Sequence, residues 1–135
     1  MIDKDQMPID AVRPNAGERV FLARLVQQTS DYARSRNLSD MYFQGHGDQT
    51  YFGAYSTKTI RKSAGNFIFG FDRRGGILRF AFPIDIAEPY RLARSWTADP
   101  SRNRAVIEIE GDLSEEMQLY FIELSRRSID YHYSK

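Results

Sequence analysis

Two aromatic runs separated by a pair of glycines constrain this chain more than any other feature. Phe67–Phe71 and Ile77–Phe82 flank the segment Asp72-Arg73-Arg74-Gly75-Gly76. Strand alternation places Phe67, Phe69 and Phe71 on one face of the first run and Leu78, Phe80 and Phe82 on one face of the second. Glycines at 75 and 76 suit a hairpin turn that needs positive φ. A hairpin with this much apolar surface on one face must be covered. It is therefore expected in the middle of a sheet, with helices packed on its aromatic side.

Two segments have the periodicity to supply that cover. Asn15 stands three residues before Glu18, the capping-box spacing, and behind it Phe21, Leu22, Leu25, Val26, Thr29, Tyr32 and Ala33 recur at helical intervals. This predicts a helix over about 16–36. A second helix is expected to start around Asp112 or Ser114, where Glu115 and Glu116 complement the helix dipole. Its inward stripe is Leu113, Met117, Tyr120, Phe121, Leu124 and Ser128.

Between and around these elements the signals are shorter. Met41–Phe43 and Thr50–Ser56 read as strands, Gly45-His46-Gly47-Asp48 as a turn, and Thr57–Gly65 as a basic connection. Pro83 ends the second hairpin strand, and Glu88–Trp96 is expected to open a short helix with Pro89 at its first position. The stretch Asp99-Pro100-Ser101-Arg102-Asn103 reads as a loop. Ile107 and Ile109 alternate with Glu108 and Glu110, as in a strand with one wet face. Residues 1–15, with Pro8 and Pro14 and no sustained period, are expected to be a mobile arm, leaving 16–135 as one domain. The predicted class is α+β: a mostly antiparallel sheet of four or five strands, with the N- and C-terminal helices on one face. Its second face would present Ile68, Gly70, Arg79 and Ala81.

The absence of cysteine removes disulfides, thiol nucleophiles and cysteine-ligated metals from consideration. No apolar run reaches the roughly 20 residues of a membrane span, and the first residues carry acid where a secretory leader would be basic, so a cytoplasmic protein is expected. The net charge of +1 conceals an uneven distribution: residues 57–104 carry ten basic and four acidic groups, and residues 105–135 three and seven. Such asymmetry marks either a polyanion-binding surface or two faces that neutralise each other.

Candidates for chemistry are few. His46, two residues before Asp48 in a glycine-flanked turn, is the one histidine placed for acid/base work, although no nucleophile accompanies it. His132 lies beside Tyr131 and Tyr133 in what reads as a frayed helix end or tail. The carboxylate groupings Asp112/Glu115/Glu116, Glu108/Glu110 and Asp85 with Glu108 and Glu110 contain no histidine and are already explained by a helix N-terminus and a wet strand face. No phosphate-cradling glycine motif is present. No metal or cofactor is therefore expected. Lys58, Arg61, Lys62, Arg73, Arg74, Arg79, Arg91 and Arg94, interleaved with Tyr55, Tyr90 and Trp96, form the one candidate anion or nucleic-acid surface.

The expected function is that of a small non-enzymatic binding protein, of bacterial or viral origin, acting through a protein partner. In that case the acidic C-terminal helix or the open sheet face carries the contact. The alternatives are an accessory nucleic-acid binder using the central basic cluster, and a metal- or His46-dependent hydrolase.

Overall fold

The computed structural model describes residues 8–57, 66–87, 96–99, 101, 103–109 and 113–134. The chain is α+β. Its sheet is antiparallel and six-stranded: β1 (Met41–His46), β2 (Tyr51–Ser56), β3 (Phe67–Arg74), β4 (Ile77–Pro83), β5 (Trp96–Asp99) and β6 (Arg104–Ile109), in the order β1-β2-β3-β4-β6-β5. The helices are α1 (Ala16–Ser35), a single turn α2 (Ile84–Ala87) and α3 (Glu115–Tyr133).

The hairpin forms as its residues dictate. β3 and β4 extend to Arg74 and Ile77, leaving a two-residue turn in which Gly75 and Gly76 adopt φ of 59° and 81°. That geometry matches the right-handed twist of the strands on either side. Phe71 pairs with Phe80 across the hairpin, their rings stacked at 4.8 Å, and Phe80 meets Phe121 of α3 edge-on at 5.4 Å. Phe21 of α1 reaches Phe71 and Phe121, each at 6.1 Å. The aromatic core is thus clamped between the sheet and both long helices.

Both helix starts are capped. Asn15 accepts from the Glu18 amide at 2.8 Å while Glu18 accepts from the Asn15 amide at 2.9 Å, completing the capping box. Ser114 accepts from the Met117 amide at 3.2 Å at the head of α3.

Four sequence expectations give way to tertiary contacts. The sheet has six strands rather than four or five, because Trp96–Asp99 pairs with β6 through Trp96↔Ile107 to Asp99↔Arg104. A neighbouring strand's hydrogen bonds decide that segment, where the sequence reading placed Trp96 in a helix and began a loop at Asp99. The helix expected from Glu88 lies, up to residue 95, outside the described residues.

The shared face of Phe67, Phe69 and Phe71 is also corrected. Ala54 pairs with Phe69 but Tyr55 with Phe67, so Ile68 is the extra residue of a β-bulge. Phe69, Phe71 and Ile68 belong to the core, whereas Phe67 crosses to the opposite face and packs against Tyr51 and Tyr55. Ile68, expected on the open face, is fully buried.

Part of the expected mobile arm is core. Pro8–Val12 forms a 3-10 turn whose Ile9 and Val12 are buried with the aromatic cluster. Gly45 of β1 permits the approach: a Cβ there would lie 2.7 Å from the Pro8 carbonyl oxygen.

Nor is His132 part of a frayed end. α3 continues to Tyr133, and His132, 2% exposed, places Nε2 2.9 Å from the buried Ser56 hydroxyl of β2. The Tyr133 hydroxyl donates to Asp40 at 3.2 Å beside it.

Candidate functional site

With Pro8–Val12, α1, α2 and α3 all on one side of the sheet, the other side offers the surface on which a site can be built. β-alternation assigns it Tyr42, Gln44 and His46 from β1, Tyr51 and Tyr55 from β2, and Asp72 from β3. β4 adds Arg79 and Ala81, and β6 adds Arg104, Val106 and Glu108. The bulge at Ile68 contributes Phe67.

Aromatic rings dominate the β1–β2–β3 half of this face. Tyr42 stacks on Tyr55 across the strands at 5.7 Å, and His46 stacks on Tyr51 at 6.2 Å. Tyr55 meets Phe67 edge-on at 5.9 Å. Gly53 and Gly70 are cross-strand partners, and a Cβ on either would lie 2.9 Å from the Tyr51 hydroxyl. The small residue at 70 therefore receives this chain's own phenol instead of leaving room for an incoming partner. The Arg104 guanidinium lies 3.9 Å from the centre of the Phe67 ring, a cation–π contact.

Burial holds the Tyr51 and Tyr55 phenols above their ordinary ionisation range. Tyr32 and Tyr133 are likewise raised, first by burial and then by the nearby Asp130 and Asp40 carboxylates. The unfolded chain releases these protons near pH 10, the folded chain only at higher pH. Stability is thus fully present below about pH 10 and is lost as pH rises through the folded values. Urea titrations at intervals from about pH 8 to 11 are expected to show this fall, with a shallower slope in the Tyr51→Phe variant; an unchanged slope would show that Tyr51 does not contribute.

The residues of the predicted basic cluster do not come together as one described surface. Lys58, Arg61, Lys62, Arg91 and Arg94 lie outside the described residues, as does Tyr90. Arg73 is committed to the fold: it donates to the carbonyl oxygens of Val12 at 2.7 Å and Gly76 at 2.8 Å and pairs with Glu18. Arg79 forms a two-pronged pair with Asp72, 2.8 Å from Nε and 2.6 Å from the second nitrogen. Arg74 is exposed beside the turn. Two of the three described members are therefore neutralised within the molecule, a distinction that like-charged residues in a sequence do not display.

The catalytic candidates fare similarly. His46 packs on Tyr51 and makes no hydrogen bond with Asp48, and no group of three His, Asp or Glu among the described residues is placed to hold a metal ion. Asp85 accepts from Tyr131 of α3 at 2.5 Å on the helical side, whereas Glu108 lies on the open face. The two do not share a site.

The aromatic face itself was missed by sequence reasoning, which assigned Phe67 to the core. The excess of tyrosine at alternate positions 51 and 55 was its visible signal. No protein-family model matches the chain, nor does any curated protein or solved structure. Among the described residues, no helix is long and apolar enough to cross a membrane.

Proposed function

We propose that this chain is a small non-enzymatic binding protein of the cytoplasm that takes a protein partner on the sheet face that none of the described helices covers. The observation that carries this reading is the tyrosine-rich, charge-balanced composition of that face. Tyr42, Tyr51, Tyr55 and Phe67 sit beside Arg79 and Arg104, with Asp72 and Glu108 as acidic counterparts. Tyrosine and arginine are the residues that concentrate binding energy in protein interfaces, where rigid rings supply contact area at low entropic cost. A nucleic-acid surface, by contrast, needs uncompensated positive charge, and the pairing of Arg73 with Glu18 and of Arg79 with Asp72 removes it from these positions.

The acidic C-terminal helix is a weaker contact surface, because three of its four carboxylates are engaged. Glu115 meets Arg24 at 2.9 Å, Glu123 meets Arg127 at 3.1 Å, and Asp130 accepts from Tyr32 at 2.7 Å. The Arg24 hydrogen bond holds the Glu115 carboxyl below its usual range.

The test compares the wild type with a Tyr42→Ser/Val106→Arg variant of the open face and a Val20→Ser control on α1, each immobilised and offered lysate of the host cell. A protein retained by wild type and control but lost by the face variant is the expected result. Parallel anisotropy titrations with labelled single- and double-stranded nucleic acid decide the alternative. Salt-sensitive nucleic-acid binding without protein capture would overturn the proposal.

A further inference from the structure

The two edges of the sheet are unlike. β5 is four residues long, ends on Asp99 and is followed in the chain by Pro100, features that blunt an edge against further pairing. β1, at the other edge, is six residues long and carries neither charge nor proline. Its outward backbone groups follow from its pairing with β2. The Thr57 amide donates to the Asp40 carbonyl, so by alternation Tyr42, Gln44 and His46 direct their backbone hydrogen bonds toward β2. The amides and carbonyls of Phe43 and Gly45 point away from the sheet, and none of the described residues bonds them. The Met41 amide also points outward but is taken up by the Leu38 carbonyl at 3.4 Å. Gln44 and Gly45 are exposed.

On the helical side the two halves of this edge differ in shape. The Pro8–Val12 turn lies under Gly45, with the Pro8 carbonyl oxygen 2.7 Å from where a Cβ would stand. Beside Met41 and Phe43 there is instead a groove of about 440 Å³, lined also by Ala33 and Leu38.

We infer that β1 pairs antiparallel with β1 of a second copy of this chain, about a two-fold axis at Gln44, so that Phe43 stands opposite Gly45 and Tyr42 opposite His46. The free backbone groups select this register: Phe43 and Gly45 of the two copies exchange their amide and carbonyl hydrogen bonds with no other group required. A shift one way needs the Met41 amide, which Leu38 holds, and a shift the other way needs Gly47, whose carbonyl accepts from Thr50 at 3.2 Å. The shape of the edge selects a second copy over an unrelated extended segment. Pairing about Gln44 sets each copy's Pro8–Val12 turn against the other's groove. On the opposite face, Tyr42 meeting His46 extends the stacked pairs Tyr42–Tyr55 and His46–Tyr51 into rows that cross both copies. This contact goes beyond the proposed binding role, because it uses the edge of the sheet and leaves the partner's face as it is.

Sedimentation velocity of the full chain from about 1 to 500 µM is expected to show a monomer–dimer equilibrium. Gln44→Lys places two like charges against each other at the axis without touching the core. It is expected to weaken the dimer by at least about tenfold, with the circular dichroism spectrum and denaturation midpoint of the monomer unchanged. Because the chain has no cysteine, single thiols report the register. Facing residues of a non-hydrogen-bonded pair stand about 4.5 Å apart at Cα, so Gln44→Cys is expected to form a covalent dimer under mild oxidation. Tyr42→Cys, two residues from the axis in each copy, puts its two thiols roughly 13 Å apart along the strands and is expected to stay uncross-linked. A chain that remains monomeric over the whole range would overturn the inference. So would a dimer that Gln44→Lys leaves as tight as the wild type, or one that cross-links through Tyr42→Cys in preference to Gln44→Cys.

Discussion

Phe80→Ala is expected to destabilise the chain by about 3–5 kcal/mol, the usual cost of truncating a fully enclosed phenylalanine. Phe80 is 0% exposed and central: its ring touches those of Phe71 at 4.8 Å, Phe82 at 4.9 Å, Phe121 at 5.4 Å and Phe69 at 6.1 Å. Removing it empties the junction of hairpin and C-terminal helix, and the rings around it are held by two other layers and cannot close the gap. Such a loss is a large share of the 5–15 kcal/mol typical of a domain this size. Denaturant unfolding is expected to show a lower midpoint with an unchanged slope. Leu119→Ala, on the 49%-exposed side of α3, serves as the control and should stay within about 0.5 kcal/mol. A cost below about 1 kcal/mol at Phe80 would invert the assignment of the sheet's faces.

Arg73→Met is expected to cost about 2–3 kcal/mol, against less than about 0.5 kcal/mol for its neighbour Arg74→Met. The two arginines are adjacent in sequence and identical in chemistry, but their side chains leave β3 on opposite sides. Arg73 and Glu18 are only 17% and 16% exposed, and the guanidinium also satisfies the Val12 and Gly76 carbonyls. It thereby ties the N-terminal 3-10 turn, the start of α1 and the β3–β4 turn together. Methionine keeps the stem but leaves a half-buried carboxylate and two carbonyls without their donor, and removing one partner of such a pair costs far more than the pair contributes. Adding Glu18→Gln to Arg73→Met is expected to restore part of the loss, since glutamine keeps the capping box with Asn15 and removes the orphaned charge. A double variant less stable than Arg73→Met alone would show that the pair does not act as described.

Much of the framework was legible from local signals. The Asn15/Glu18 box, the three-and-four spacing behind it and the Gly75-Gly76 turn each act over a few residues, so the atoms that decide the outcome are neighbours in the chain. Phe80 and Phe82 could be placed in the core by alternation alone. The candidate site was not legible in this way. Alternation assigned Phe67 to the core because a bulge is a property of two strands in register, and only the offset between Ala54↔Phe69 and Tyr55↔Phe67 reveals it. Arg73, Arg79 and Arg104 read as equivalent positive charges. Whether each is paired depends on carboxylates 55 and 7 residues away in the first two cases, whereas no carboxylate among the described residues pairs with the third.

The sequence by itself determined the α+β class, the hairpin, both long helices and the aromatic identity of the core, because short-range backbone preferences and side-chain period suffice for these. Only the tertiary structure decided which face Phe67 joins, that Ile9 and Val12 belong to the core, that His132 is locked to Ser56, and that Arg104 lies over the Phe67 ring. Those outcomes depend on strand register and on charge pairing between distant segments. Both are set by how the layers pack, not by any window of residues.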